Sequence, residues 1–409
     1  MLRKIRIAAA AFFFVLTTLL FLDFTGTLHA WFGWMAKIQF LPALLALNVG
    51  VVAFLVILTL LFGRVYCSVI CPLGVMQDIV SWASGKRRKH RNRFAYSPAL
   101  TWLRRGMLVV FVAAMLAGVG SLLAPYSAYG RIASNLLAPV YAWGNNLLAY
   151  IAGRMDSYAF YSVDVWMKSL STLLVAVVTF AVLFVLAWRS GRTYCNTICP
   201  VGTVLGFLAR YSLFKPRFDT SKCNGCKLCA RNCKASCIDP AAHKIDYSRC
   251  VACMDCLENC RQGAITYTLR RRKPDPAPAP QRLAADAAKT PSDASRRRFL
   301  GLAGIVAYSA LRAQEKKVDG GLAVIVDKKI PNRATPVVPP GAQSLRHFNA
   351  HCTGCQLCVS VCPNQVLRPS TKLSTLMQPE MSYERGYCRP ECTKCSEVCP
   401  AGAILKITP

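Results

Sequence analysis

Eight cysteines between residues 223 and 260 fall into two runs of fixed spacing, Cys223-x2-Cys226-x2-Cys229-x3-Cys233 and Cys250-x2-Cys253-x2-Cys256-x3-Cys260. Three thiolates set two residues apart on a tight loop can grip three irons of a [4Fe–4S] cube, and the fourth iron must take its ligand from elsewhere. The chemistry that follows is one-electron transfer. The same pattern recurs near the C-terminus as Cys352-x2-Cys355-x2-Cys358-x3-Cys362 and Cys388-x3-Cys392-x2-Cys395-x3-Cys399, with one spacer a residue longer. Pro363 and Pro400 follow the fourth cysteines there.

Such paired runs form the ligand pattern of a two-cluster bacterial ferredoxin, in which the fourth cysteine serves the other cluster. One cluster then takes Cys223, Cys226, Cys229 and Cys260, and a second takes Cys250, Cys253, Cys256 and Cys233. In the C-terminal copy the sets are Cys352, Cys355, Cys358 and Cys399, and Cys388, Cys392, Cys395 and Cys362, four [4Fe–4S] clusters in all. Paired Cys-x2-Cys also marks structural zinc sites, but zinc takes four ligands per ion and does not call for a repeated three-plus-one run. Cys233 is followed by Lys234 instead of proline, and Cys237 has no slot; it reads as a small buried hydrophobe. Gly263 to Leu269 and Gly402 to Ile407 read as the short strands that close the two domains.

The elements that position these sites are membrane helices. Of 409 residues 54% are hydrophobic, too apolar for a soluble protein of this length. The net charge of +31 does not point to nucleic acid, because the basic residues flank apolar runs, as at Arg3, Lys4 and Arg6 and in the tract Lys86 to Arg93. Four spans are expected, Ala8 to Phe24, Leu41 to Phe62, Gly106 to Ala124 and Ser169 to Trp188, with Trp31 and Trp34 at an interface. Ile132 to Ala152 is also apolar, but Pro139, Gly144, Asn145 and Asn146 make it a partly buried or interfacial segment. Because nearly all of the 21 cysteines have cluster spacing, their number does not imply an oxidising compartment.

After the second and fourth spans one phrase appears twice: Gly63-Arg64-Val65-Tyr66-Cys67-Ser68-Val69-Ile70-Cys71-Pro72-Leu73-Gly74 and Gly191-Arg192-Thr193-Tyr194-Cys195-Asn196-Thr197-Ile198-Cys199-Pro200-Val201-Gly202. The membrane domain is thus two repeated helical hairpins. Cys67, Cys71, Cys195 and Cys199 are redox candidates: they either meet as one four-thiolate site, work as redox-active dithiols, or merely shape helix ends. The expected order is a four-helix membrane domain (1–215), a ferredoxin domain (216–270), a Pro/Ala-rich linker (271–294), a twin-arginine-like segment (295–312) and a second ferredoxin domain (313–409). Arg296 and Arg297 before a short apolar run read as an export signal inside the chain, the alternative being a basic patch with an amphipathic helix. The fold class is accordingly an α-helical membrane domain with two small α+β ferredoxin-like domains.

Four spans, two C-x3-C-P phrases and a two-cluster ferredoxin in that order resemble the NapH-type quinol dehydrogenases over about residues 1 to 270. Related polyferredoxins are of the NosR and CcoG types. The part beyond Ser295 is similar to the NapG-type exported ferredoxin, so the chain looks like a fusion of the two. The resemblance implies a multi-pass protein of the bacterial inner membrane, its first ferredoxin cytoplasmic and its second periplasmic. The implied role is to pass electrons from quinol to a periplasmic reductase or redox carrier, as a quinol dehydrogenase or its electron-transfer subunit. The alternative is redox maturation or regulation of the CcoG or NosR kind. None of the five histidines lies in the middle of a span, which removes a bis-histidine haem, and no G-x-G-x-x-G follows a strand. Asp23, Asp156 and Asp164 are candidate proton acceptors for quinol oxidation, each reading more simply as a solvated loop carboxylate.

Overall fold

The computed structural model describes residues 1–23, 25–86, 94–116, 122–157, 159–165, 169–269, 335–384 and 386–408. The linker and the twin-arginine segment lie outside the described residues. Helix α1 (Leu2–Leu22) is an apolar run without proline or glycine, and at 21 residues it is about 30 Å long. Asp23 ends it in extended conformation and gathers the N–H groups of Thr25, Gly26 and Leu28 on its carboxylate. Three short helices follow, α2 (Thr27–Phe32), α3 (Trp34–Lys37) and α4 (Phe40–Leu45).

The expected span Leu41 to Phe62 is two helices rather than one. Leu47 adopts a positive φ of 52°, and Asn48 caps a new helix by accepting from Val51 N at 3.3 Å. That helix, α5 (Val49–Phe62), has 14 residues. Next come α6 (Val65–Val69), α7 (Pro72–Gly85), α8 (Thr101–Leu116) and α9 (Pro125–Ile132). A π turn at Ala133–Leu137 leads into α10 (Ala138–Arg154), where Pro139 lacks the N–H that a regular ladder would need. Every residue of α9 is buried and none of α10 is, so the apolar stretch about Ile132 to Ala152 joins a core helix to an outward one. Helix α11 (Leu170–Ser190) ends at Gly191, and α12 (Thr193–Thr197) and α13 (Pro200–Ala209) complete the helical part. Among the described residues two helices, α1 and α11, are long and apolar enough to cross a membrane; α5 and α13 are apolar but shorter.

The two repeats interlock. Helix α7, which follows the first phrase, packs on α11, which precedes the second; α13 packs reciprocally on α5. The chain then enters the first ferredoxin domain through β1 (Phe214–Phe218), which pairs antiparallel with β4 (Ile265–Leu269) in the register Phe214↔Leu269 to Phe218↔Ile265. Between them lie α14 (Leu228–Arg231), the pair β2 (Ile238–Asp239) and β3 (Lys244–Ile245), and α15 (Asp255–Asn259). The second ferredoxin domain has short helices at Leu345–His351, Leu357–Ser360 and Lys394–Val398, and one strand pair, β5 (Leu367–Pro369) with β6 (Pro379–Met381). The strand expected at Gly402 to Ile407 is absent, because no ladder partner runs beside it; Leu405 N donates to Gly341 O at 3.0 Å and Ile407 N to Ser396 Oγ at 3.4 Å.

Helix α1 separates the two domains. At its start Arg3 pairs with Asp255 and Glu258 of the first ferredoxin. Past its end, Thr25 O accepts from Lys394 Nζ of the second at 3.2 Å.

Candidate iron-sulfur centres

In the first ferredoxin, Cys223, Cys226, Cys229 and Cys260 line one cavity, and Cys233, Cys250, Cys253 and Cys256 line another. Local sequence explains the loops: Lys227 and Met254 take left-handed conformations that turn each three-cysteine run into the following helix, and Gly225 sits at φ 70°. The β1–β4 pairing then brings Cys260 back to the first loop. In the second domain Cys352, Cys355, Cys358 and Cys399 line a third cavity. Cys388, Cys392 and Cys362 lie within electrostatic reach of Cys395.

The donor sets fit [4Fe–4S] clusters, with three thiolates of one run and the fourth of the other around each of these three cavities. Among the described residues no three His, Cys, Asp or Glu side chains converge on the scale of a single ion. Burial pushes the Cys229 thiol up to about 11, so binding iron would displace protons from these sulfurs. Cys237 is buried in the core, as its reading as a small hydrophobe expected. It lines the second cavity beside Cys233, the two sulfurs 3.5 Å apart, and sequence spacing carried no signal for this.

The repeated phrases meet at the interlocked core, where their glycines, their arginines and the cysteines that precede proline have matching places in both copies. Gly63 and Gly191, at φ 75° and 68°, end the long helices. Arg64 and Arg192 then cross to the opposite copy: Arg64 Nη2 donates to Cys195 O at 3.1 Å, and Arg192 Nη1 to Cys67 O at 2.6 Å. The same guanidiniums lie 3.8 Å from Cys67 Sγ and 3.9 Å from Cys195 Sγ. Cys71 and Cys199 are the N-cap residues of α7 and α13, each followed by the proline that suits the first helical position. Cys199 Sγ accepts from Gly202 N at 3.3 Å. A Cβ on Gly74 or Gly202 would lie 2.3 or 2.2 Å from the carbonyl of Cys67 or Cys195, which is why only glycine serves there.

Charge around this centre is arranged by Asp78. Its Oδ1 accepts from Arg192 Nε at 2.9 Å, its Oδ2 from Arg6 Nη1 at 2.9 Å, and Lys234 Nζ stands 3.5 Å away. Burial alone would raise this carboxyl; Arg192, Lys234 and Arg6 outweigh it and hold Asp78 well below the usual carboxylate range. Burial, reinforced by Cys195 and Cys67, pushes the Cys71 thiol up to about 12.

Of the carboxylates considered for proton transfer, Asp23 is buried and bound to backbone and to His29 Nδ1 at 3.2 Å, so it is a helix cap and not a solvated loop group. Asp156 and Asp164 are exposed.

Fold and site together describe an iron-sulfur protein. Residues 44–90 and 172–221, which carry the two phrases, each match a family model described as a 4Fe-4S binding domain, and residues 351–403 match a 4Fe-4S dicluster domain. The chain is similar to the ferredoxin-type protein NapH of Escherichia coli, 29% identical over 195 residues that make up 47% of this chain and 55% of that protein. It is also similar to the methylamine utilization ferredoxin-type protein MauN of Paracoccus denitrificans (28%; 42% and 48% covered) and to the putative electron transport protein YccM of E. coli (28%; 44% and 44%). These likenesses support a NapH-like polyferredoxin. The chain spans about half the length of the curated relatives it matches. No solved structure matches it.

Proposed function

We propose that this chain is a membrane-bound carrier that takes electrons from quinol and delivers them to a periplasmic terminal reductase of the nitrate reductase kind. The observation that carries the reading is the attachment of two ferredoxin domains, with sixteen cysteines in four quartets, at opposite ends of the apolar helix α1. With α1 across the bilayer, its length of about 30 Å matches the hydrocarbon thickness. The first ferredoxin then faces the cytoplasm, beside the basic N-terminus, and the second, exported with the help of Arg296 and Arg297, faces the periplasm. This arrangement is that of a NapH-type part joined to a NapG-like domain.

The clusters, when bound, supply one-electron storage by iron valence. The chain's own residues hold the thiolates in place, shield them from water and set their charge surroundings. Arg3 of α1 clamps the first ferredoxin to the helical core through Asp255 at 2.8 Å, and Lys234 of that domain reaches Asp78 of α7 at 3.5 Å. Asn135 Nδ2, bonded to Gln356 Oε1 at 3.1 Å, ties the second ferredoxin to the far side of the core.

The test is reduction of the anaerobic, purified full chain by a menaquinol analogue, followed in the visible and by electron paramagnetic resonance. Bleaching of the cluster absorbance by the quinol is expected. Clusters that dithionite reduces and quinol does not would remove the quinol reading.

A further inference from the structure

The proposed function leaves about 30 Å of apolar core between the two ferredoxin domains. The four phrase cysteines lie in that interval. We propose that Cys67, Cys71, Cys195 and Cys199 together ligate one additional iron-sulfur cluster, shared between the two repeats and placed as the relay from the first ferredoxin domain to the second. This rests on the iron-sulfur reading above, not on quinol as the donor.

The first argument is placement. All four side chains are buried, at 4–5% exposure, and each lies within electrostatic reach of others in the set across the two copies. A dithiol that exchanges with an outside disulfide must be reachable by the attacking thiolate, and these are not. Each copy supplies only two thiols, so a four-thiolate site requires both, and the exchange of Arg64 and Arg192 is what brings the copies together.

The second argument is charge. Arg64 is fully buried, and among the described residues no carboxylate pairs with it. Its neighbours are Asn196 Oδ1 at 2.9 Å, Ser248 O at 3.1 Å, Cys195 O and the Cys67 sulfur. A guanidinium enclosed without a counter-ion is costly, and a helix cap has no need of one. Four thiolates around an iron-sulfur core carry net negative charge, which Arg64 and the N-termini of α7 and α13 would balance.

The third argument is the path. Asn196, next to Cys195, donates to Ala235 O at 3.2 Å, two residues from Cys233. Arg64 bridges the same Asn196 to Ser248, two residues before Cys250, so the centre abuts the second cavity of the first ferredoxin. On the other side Tyr194 OH donates to Leu123 O at 3.4 Å, and Arg131 donates to the adjacent Leu122 O at 3.0 Å. Gly130, beside Arg131, packs so closely on Cys355 O that a Cβ there would lie 2.3 Å away. The connection runs from Cys233 to Cys355 through packed protein. At each step one electron leaves iron(II) at one centre and reduces iron(III) at the next; no bond is made or broken and no proton moves.

Iron and acid-labile sulfide in the anaerobic full chain test the proposal. About twenty of each per chain are expected, where the ferredoxin domains alone account for about sixteen. The variant Cys67→Ser/Cys199→Ser should lose about four of each while keeping the ferredoxin signals in its Mössbauer spectrum. Arg64→Gln should keep its iron and move the midpoint potential of one cluster to a more negative value. About sixteen irons in the wild-type chain overturns the proposal whether or not the variants fold, as does one zinc per chain. A chain with about twenty irons that quinol fails to reduce keeps the centre and removes only the quinol donor.

Discussion

Asp78→Asn removes a carboxylate that touches three cations, and the structure says which of them will suffer. Lys234 keeps Asp255 at 2.9 Å, and Arg6, with a side chain 10% exposed, sits at the edge of the core where it can turn to water. Arg192 is fully enclosed: its Nε loses the acceptor 2.9 Å away, and the guanidinium loses the charge of the carboxylate oxygen 2.8 Å from Nη2. Breaking a buried ion pair by removing one partner costs about 3–5 kcal/mol. Asparagine retains one oxygen that can accept, so the lower end, about 3 kcal/mol, is expected, or roughly 6–12 °C in the melting temperature of a domain of this size. Glu258→Gln is the control: its partner is Arg3 and its side chain is 48% exposed, so less than about 1 kcal/mol should be lost. Both variants would be melted in lipid nanodiscs with intrinsic tryptophan fluorescence as the probe. Since the folded Asp78 carboxyl titrates below its unfolded value, its contribution is complete above about pH 4 and is lost only as pH falls through the folded value. The difference between wild type and Asp78→Asn should therefore be flat from about pH 5 to about pH 8. Equal melting of the two variants, or a difference that vanishes within that range, would refute the reasoning.

Two other outcomes are expected. Cys233→Ala should retain full iron content because Cys237, with its sulfur 3.5 Å away in the same cavity, takes up the vacated coordination; Cys233→Ala/Cys237→Ala should lose about four irons by the same assay. Reporter fusions at Lys89 and after Pro409 should report opposite faces of the membrane, and two cytoplasmic signals would make this a one-sided polyferredoxin.

What could be read along the chain is what local chemistry decides. Three thiols two residues apart can face one cube whatever surrounds them, so the runs at Cys223, Cys250 and Cys352 carry their meaning in their spacing, and the run at Cys388 does so with one spacer a residue longer. The repeated phrase is likewise legible as a repeat, and the continuous apolar run of α1 as a long helix. Hydropathy counts apolar residues without weighing caps, which is why Leu41 to Phe62 looked like one span while Leu47 and Asn48 divide it. Gly402 to Ile407 has strand-forming residues, but a strand exists only where a partner offers a ladder, and that is a property of the packed domain. For the same reason the sequence had no means of placing Cys237 beside Cys233, or of showing that Arg64 and Arg192 are exchanged between repeats 128 positions apart. Spacing along a chain sets the local grip on a ligand; only the interlocking of α5 with α13 and α7 with α11 decides that two half-sites become neighbours, since that depends on burying faces from distant segments together.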